Sequence, residues 1–288
     1  MPDFASSRIS IARQAKDRIF RGLCYGAAAL GVLLLVVVLW GAVREGFSAL
    51  TPKFFRGYPT ASVSRAGIMP ALLGSLWIVL LTLAISLPVG IAAAVHLEEI
   101  AKKTRLNAFI QANIANLAGV PSIIYGILGL AIFVRCFGFG NSIIAAACTM
   151  SLLVLPTVIL TTQEALRTVP MAYREGSLAC GATPWQTLLR MTLPCSSAPI
   201  LTGVILAASR AIGETAPLLV VGALASTREV PRGIRDPYTV LPIQIFNWSG
   251  MPQHAWHVKA AGAIIVLLTM LLALNAIAIV LRNKATRI

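Results

Sequence analysis

The chain has 288 residues, 57% of them apolar and only 12% charged, with a mean hydropathy of +0.82. That polar fraction cannot cover a soluble core of this size. It excludes a disordered chain, a disulfide scaffold and an ordinary cytosolic enzyme, and leaves a polytopic helical membrane protein. The net charge is +14, from 24 basic and 10 acidic residues, and its meaning depends on where the cations lie relative to the apolar runs.

Crossing roughly 30 Å of hydrocarbon takes about 20 apolar residues. Six runs reach that length: residues 22–43, 72–95, 115–134, 142–160, one that begins near 199, and 260–281. Arg8, Arg13, Lys16, Arg18 and Arg21 precede the first run as they would a signal peptide. Its apolar stretch is longer than the about 7–15 residues of a cleaved leader, so it reads as a retained anchor. Pro88, Pro121, Pro156 and Pro217 fall within the runs or their continuation and are expected to kink them. A membrane bundle tolerates this where neighbouring helices satisfy the freed backbone groups.

With the amino terminus inside, fourteen basic residues fall on the cytoplasmic side. They are the five above, Lys102, Lys103 and Arg105, then Arg167, Arg174 and Arg190, and finally Arg282, Lys284 and Arg287. Nine fall outside, among them Arg135, Arg228, Arg232, Arg235 and Lys259, and Arg210 lies within the fifth run. The bias puts both termini in the cytoplasm, and the charge then speaks of orientation rather than of nucleic acid. The cysteines at 24, 136, 148, 180 and 195 show no pairing pattern, so no structural disulfide is expected.

Several chemistries lack their residues. There is no His-Glu-x-x-His zinc site, no nucleophile with a histidine base, and no Gly-x-x-x-x-Gly-Lys-Ser/Thr phosphate loop. His96-Leu97-Glu98-Glu99 reads as a solvated cap at a helix end, and His254 and His257 beside Trp256 as interfacial residues. No cofactor, metal or catalytic residue is expected in this chain.

The segment 161–192 between the fourth and fifth runs is long and only moderately polar. Residues 164–169 extend one helix, Pro170 punctuates it, and 173–180 form a second, ended by Gly181; Pro184 suits the first turn of a third. Gly176, Ser177, Ala179, Gly181 and Ala182 would let another protein approach the backbone, which suggests a docking surface. The segment reads Glu175-Gly176-Ser177, three residues, Gly181, nine residues, then Met191-Thr192-Leu193-Pro194. It resembles the cytoplasmic signature of permease subunits of ATP-binding-cassette importers: Glu-Ala-Ala, three residues, Gly, nine residues, Ile-x-Leu-Pro. The resemblance implies that Glu175, Gly176, Ser177, Gly181, Ala182, Leu193 and Pro194 belong to a coupling loop (161–194) docked on a separate ATPase subunit.

Two further stretches resemble phosphate-importer permeases: Arg210-Ala211-Ile212-Gly213-Glu214-Thr215-Ala216-Pro217, and Gly119-Val120-Pro121-Ser122-Ile123-Ile124-Tyr125-Gly126. The stretch Leu241-Pro242-Ile243-Gln244-Ile245-Phe246-Asn247-Trp248 and Arg21-Gly22-Leu23 are closer to the PstA-type subunit than to its PstC-type partner. The implied fold is all-α, a MetI-like core of five helices plus an amino-terminal helix, in a prokaryotic inner membrane. The chain then divides into a basic amino terminus (1–21), a first span (22–43), an external loop (44–68), a permease domain (69–283) and a tail (284–288). The implied partners are a homologous second permease, an ATPase dimer that binds ATP, an external phosphate-binding protein and the lipid bilayer.

Apart from any family, Arg210 and Glu214 stand out, because a charge at the centre of a span costs on the order of 3 kcal/mol. Arg210 lies eleven residues after Pro199, about 16 Å along a helix, and so near the midplane of a run that starts there. At i, i+4 the two side chains could form a neutralising ion pair. Alternatively Arg210 faces a water-filled path and meets an oxyanion with its fork of donors, while Glu214 limits the attraction; Ser122 and Thr215 are secondary contacts. Gly213 and Pro217 favour local unwinding there. In the external segment 227–258, residues 240–246 suggest a short helix at the membrane interface beside Tyr238, Trp248 and Trp256, on the side that receives the binding protein. The function expected is a permease of a phosphate importer; a molybdate or sulfate permease and a passive anion channel are the alternatives.

Overall fold

The architecture is organised around α6 (Ile143–Arg167), whose apolar window is 67% buried. The computed structural model describes residues 4–102, 104–223 and 230–285; Lys103, Arg228 and Arg287 of the charge tally lie outside it, as does the side chain of Arg8. Among the described residues every element is helical, with no strand. Ser142 caps α6 by accepting from the Ala145 N–H, and Pro156 lies inside the helix without ending it. Against α6 pack α3 (Met69–Val95), prolonged by a π turn over His96–Ile100, and α9 (Leu193–Gly213).

Small residues and hydroxyls explain why these helices can meet so closely. Gly90 of α3 lies against Val158, and Gly203 of α9 against Thr161, leaving no space for a β-carbon at either crossing. Between α3 and α6, Thr82 donates to the Ala147 carbonyl at 3.4 Å and Ser151 to the Thr82 carbonyl at 3.2 Å. The core that results joins Ile78, Met150, Leu153, Val154, Ala207 and Ala211.

The first and last helices stand outside this core. The amino-terminal α1 (Phe4–Gly46) is continuous through the basic residues and the first apolar run, and none of its apolar window is buried. It meets α12 (His254–Ala285) where Gly46 abuts Ala261 and Gly262. Between α1 and α3 a short α2 (Pro52–Arg56) tucks Phe54 fully inside a second core with Trp248 and Trp256.

Among the described residues five helices are long and apolar enough to cross a membrane, and a bent pair makes a sixth if counted as one span. That pair corrects the expected third span of 115–134. The chain forms α4 (Arg105–Ala118), turns by 103°, and continues as α5 (Ser122–Gly129) with a π turn over Leu130–Cys136. The cause is local: Pro121 has no N–H to continue the helix, and it biases Val120 away from helical backbone. Pro121 therefore breaks the helix rather than kinking it.

A second difference concerns the helix expected to start near 199. A short α8 (Pro184–Thr187) runs through a π turn over Leu188–Thr192 into α9, so one helix of 30 residues extends from Pro184 to Gly213. In the segment 240–246, α11 (Leu241–Ser249) forms as expected and buries one face, with Leu241 and Ile243 fully buried and Phe246 exposed. Its Leu241 N–H donates to Ser75 Oγ of α3 at 2.9 Å.

Candidate functional site: two ends of one helix

The residues singled out from the sequence fall into two groups, one at each end of the continuous helix Pro184–Gly213. At its start lies the loop between α6 and α9. Pro170 ends the first helix, as expected, and α7 (Met171–Ala179) follows. Glu175 and Gly176 are exposed on α7, and a β-carbon on Gly176 would meet nothing within 4 Å. Ser177 instead turns inward, its Oγ 2.9 Å from Thr187 Oγ1 of α8. Gly181 has φ +86°, a left-handed turn that closes α7 at little cost only for glycine. Ala182 follows with its N–H donated to the Ser177 carbonyl at 3.2 Å. Thr183 then caps α8 in a reciprocal box with Gln186. Leu193 packs on Val95, Leu166 and Leu188, and Pro194 is tolerated in the first turn of α9.

Around this loop the described ion pairs gather, on residues that sequence reasoning did not single out. Glu98 receives Arg167 through two bonds, Nε at 2.9 Å and Nη2 at 2.8 Å. Glu99 pairs with Arg174 Nη2 at 2.8 Å, and the same Arg174 donates to the Leu166 carbonyl at 2.7 Å. Glu98 and Glu99 are thus partners of two arginines rather than a solvated cap. The only available signal was two adjacent carboxylates at the end of an apolar run, because partners 69 and 75 positions away in sequence leave no local pattern.

At the other end the charges are not paired with each other. Arg210 is exposed in the last turn of α9, where a cation suits the helix dipole. The helix stops at Gly213, and Glu214 has an extended backbone (φ −82°, ψ 126°), so the i, i+4 relation that would have joined the two side chains no longer holds. A midplane depth measured from Pro199 does not apply, since the helix begins at Pro184 and Arg210 lies near its end. Thr215 precedes α10 (Ala216–Val221), and the Leu219 N–H donates to its carbonyl at 3.1 Å.

The second break meets the first. Ser122 is half-buried at the start of α5, directly after the 103° turn, and Gly126 of α5 lies so close to Pro217 of α10 that an added β-carbon would fall 2.8 Å from its Cα. Tyr125 donates its hydroxyl to the Leu117 carbonyl at 2.8 Å, across the turn, and lies within electrostatic range of Arg210. Two interrupted helices and one unpaired guanidinium therefore converge. Nearby, Ser209 donates to Asn275 Oδ1 at 3.0 Å and ties α9 to α12.

The chain that carries this site has known relatives. The family described as the binding-protein-dependent transport system inner membrane component matches residues 86–285. The chain belongs to that family. It is a multi-pass membrane permease subunit of an ABC importer and not itself an enzyme. Among curated relatives, the probable ABC transporter permease protein YqgI of Bacillus subtilis is 31% identical over 254 residues, 88% of this permease and 86% of its own length. The phosphate transport system permease protein PstA of Xylella fastidiosa is 32% identical over 260 residues, 90% of each chain. PstA 1 of Mycobacterium tuberculosis is 28% identical over 285 residues, 97% of this permease and 92% of its own length. In fold, a chain of a bacterial ABC transporter that imports alginate superposes with a TM-score of 0.62 at 15% identity, covering 94% of this permease and 99% of itself. A chain of the MetNI methionine transporter, in an inward-facing conformation, gives 0.57 at 16% identity, covering 76% and 94%.

Proposed function

We propose that the permease serves a phosphate importer and forms half of its pathway. The observation that carries the reading is Arg210: an exposed guanidinium, freed from Glu214 by the end of α9, at the meeting of two broken helices. A guanidinium offers a planar fork of donors matched to phosphate oxygens and keeps its charge at any physiological pH. Glu214, Thr215 and Ser122 lie in the segments around it; the carboxylate would prevent over-tight binding, and the hydroxyls would supply secondary contacts. The PstA relatives, matched over nearly the whole length, support phosphate over another oxyanion.

The α7 loop is the surface for an ATPase partner. Glu175 and Gly176 are exposed there together with Met171, Tyr173 and Leu178. Movement received at α7 reaches Arg210 along one helix: from Leu188 to Arg210 is about 33 Å at 1.5 Å per residue. The working assembly comprises a second homologous permease, an ATPase dimer that binds the ATP, and an external phosphate-binding protein, in a prokaryotic inner membrane with both termini cytoplasmic. Uptake into vesicles reconstituted with these partners tests the reading. ATP- and binding-protein-dependent accumulation of phosphate, uncompeted by molybdate or sulfate, is expected; flux without ATP, or preference for either competitor, overturns it.

A further inference from the structure

The helix α7 is held to the bundle in an unusual way. None of its residues is fully buried. Beneath it lies a cavity of about 480 Å³ lined by Glu99, Met171, Arg174, Leu178, Trp185 and Leu188, so apolar packing does not seat α7 on the spans. What crosses the gap is polar. Arg174 reaches Glu99 at 2.8 Å at the end of α3 and the Leu166 carbonyl at 2.7 Å at the end of α6, while Ser177 meets Thr187 at the start of the long helix that carries Arg210. The Leu166 carbonyl, near the end of α6, also accepts the Val169 N–H at 3.3 Å, so Arg174 joins a turn that already closes the helix.

The π turn over His96–Ile100 explains how one helix end serves two arginines. Consecutive residues there point roughly a quarter turn apart, so Glu98 faces Arg167 on α6 and Glu99 faces Arg174 on α7. The Glu99–Arg174 pair is the better protected, with side chains 15% and 19% exposed, against 20% and 55% for Glu98 and Arg167.

We propose that Glu99 and Arg174 form a strap that fixes α7 to α3 and α6, with Arg174 as its positioning residue and Glu98–Arg167 tying α3 to α6 beside it, so that displacement of α7 is passed to the spans. The proposal rests on the importer reading for its purpose but on geometry alone for its existence. The Glu99–Arg174 ion pair and the Arg174–Leu166 hydrogen bond hold a helix against pull as well as push, which a cavity cannot do. Without the strap, α7 would move over its cavity while the spans stayed in place.

Two measurements separate the strap from its purpose. In the full chain in lipid nanodiscs, amide exchange over residues 171–179 should quicken about tenfold in E99Q and in R174Q. The double variant should be no faster than either single one, the signature of a shared contact. R174K, which keeps the charge and loses the fork, should give roughly two- to fivefold and serves if the others fail to fold, whereas E98Q, whose partner Arg167 is not on α7, should leave this exchange unchanged. Additive effects, or exchange unchanged in E99Q, R174Q and R174K, overturn the strap. In the reconstituted complex, R174Q should raise ATP hydrolysed per phosphate imported about tenfold with the ATPase still bound. A parallel fall in hydrolysis and uptake shows a merely structural role and overturns the proposal. Failure of the wild-type complex to import phosphate would sink the importer reading and leave the exchange result to judge the strap.

Discussion

The two ends of the helix Pro184–Gly213 treat charge in opposite ways. At the α7 end, Glu98 and Glu99 are matched to Arg167 and Arg174 within 2.9 Å, and the ion pairs bridge three separate helices. At the other end, Arg210 and Glu214 stand four residues apart in sequence and do not pair, because the helix ends between them. Paired charges of this kind have spent their interaction on holding the fold, whereas an exposed, unpaired guanidinium keeps its donors available to a ligand. The same helix thus has one end where charges are paired and one where an exposed cation is not.

The contrast can be broken most sharply at Arg210. Replacing it with Gln should lower phosphate uptake by about 10- to 100-fold in a complex that still assembles, the loss expected from removing a charge-assisted bond. R210K, which keeps the charge and loses the fork, should fall between; unchanged initial rates in R210Q would make the residue a helix-end cation and nothing more.

Glycine substitutions probe the packing of each end. At the meeting of the breaks, G126V would drive a side chain into Pro217, 2.8 Å from the first added carbon, and should cost about 1–3 kcal/mol in unfolding measured in detergent. In the α7 loop, G181A meets no neighbour but holds φ +86°, so it should cost about 1 kcal/mol through backbone strain alone. G176A, in open space on a helix, should leave stability equal or raised by up to about 1 kcal/mol, so a loss of transport there would locate the partner's contact.

The smallest effect concerns the loop that meets the start of α6. The N–H groups of Arg232 and Gly233 each donate to Asp236 Oδ2 at 2.8 Å and hold its carboxyl below the usual aspartate range. A lowered folded-state value means that the anchoring is complete above the ordinary 3.8 and is lost as pH falls through the lowered value. Carbonyls of Ile234 and Asp236 accept from Ile144 and Ile143, the first amides of α6. D236N should therefore speed exchange of those amides at neutral pH, and the wild type should match it only in strong acid.

How much of this could be read from residues alone varies by element. Pro170, Gly181 and Pro184 marked the α6–α9 loop correctly because helix starts and stops are local chemistry. The turn at Gly119-Val120-Pro121 was read as a kink, because a proline in an apolar run gives no sign of whether neighbours will restore the helix. The long helix from Pro184 was missed for the opposite reason: Pro194 and Pro199 resembled a boundary, yet the chain continues through both. The segment 241–249 was correctly helical, but the packing of its Trp248 with Phe54 and Trp256 joins parts of the chain too distant for a local pattern to show.

Composition and spacing determined that the chain crosses a membrane several times, that a helical loop separates the fourth and fifth runs, and which buried-run charges needed an explanation. These depend on residues close in sequence and on the energetic cost of polar groups in lipid, both visible without coordinates. The tertiary structure alone decided which charges pair. Whether Glu98 meets Arg167 or water, and whether Glu214 meets Arg210, depends on helix ends brought together from distant parts of the chain, and on where a helix stops.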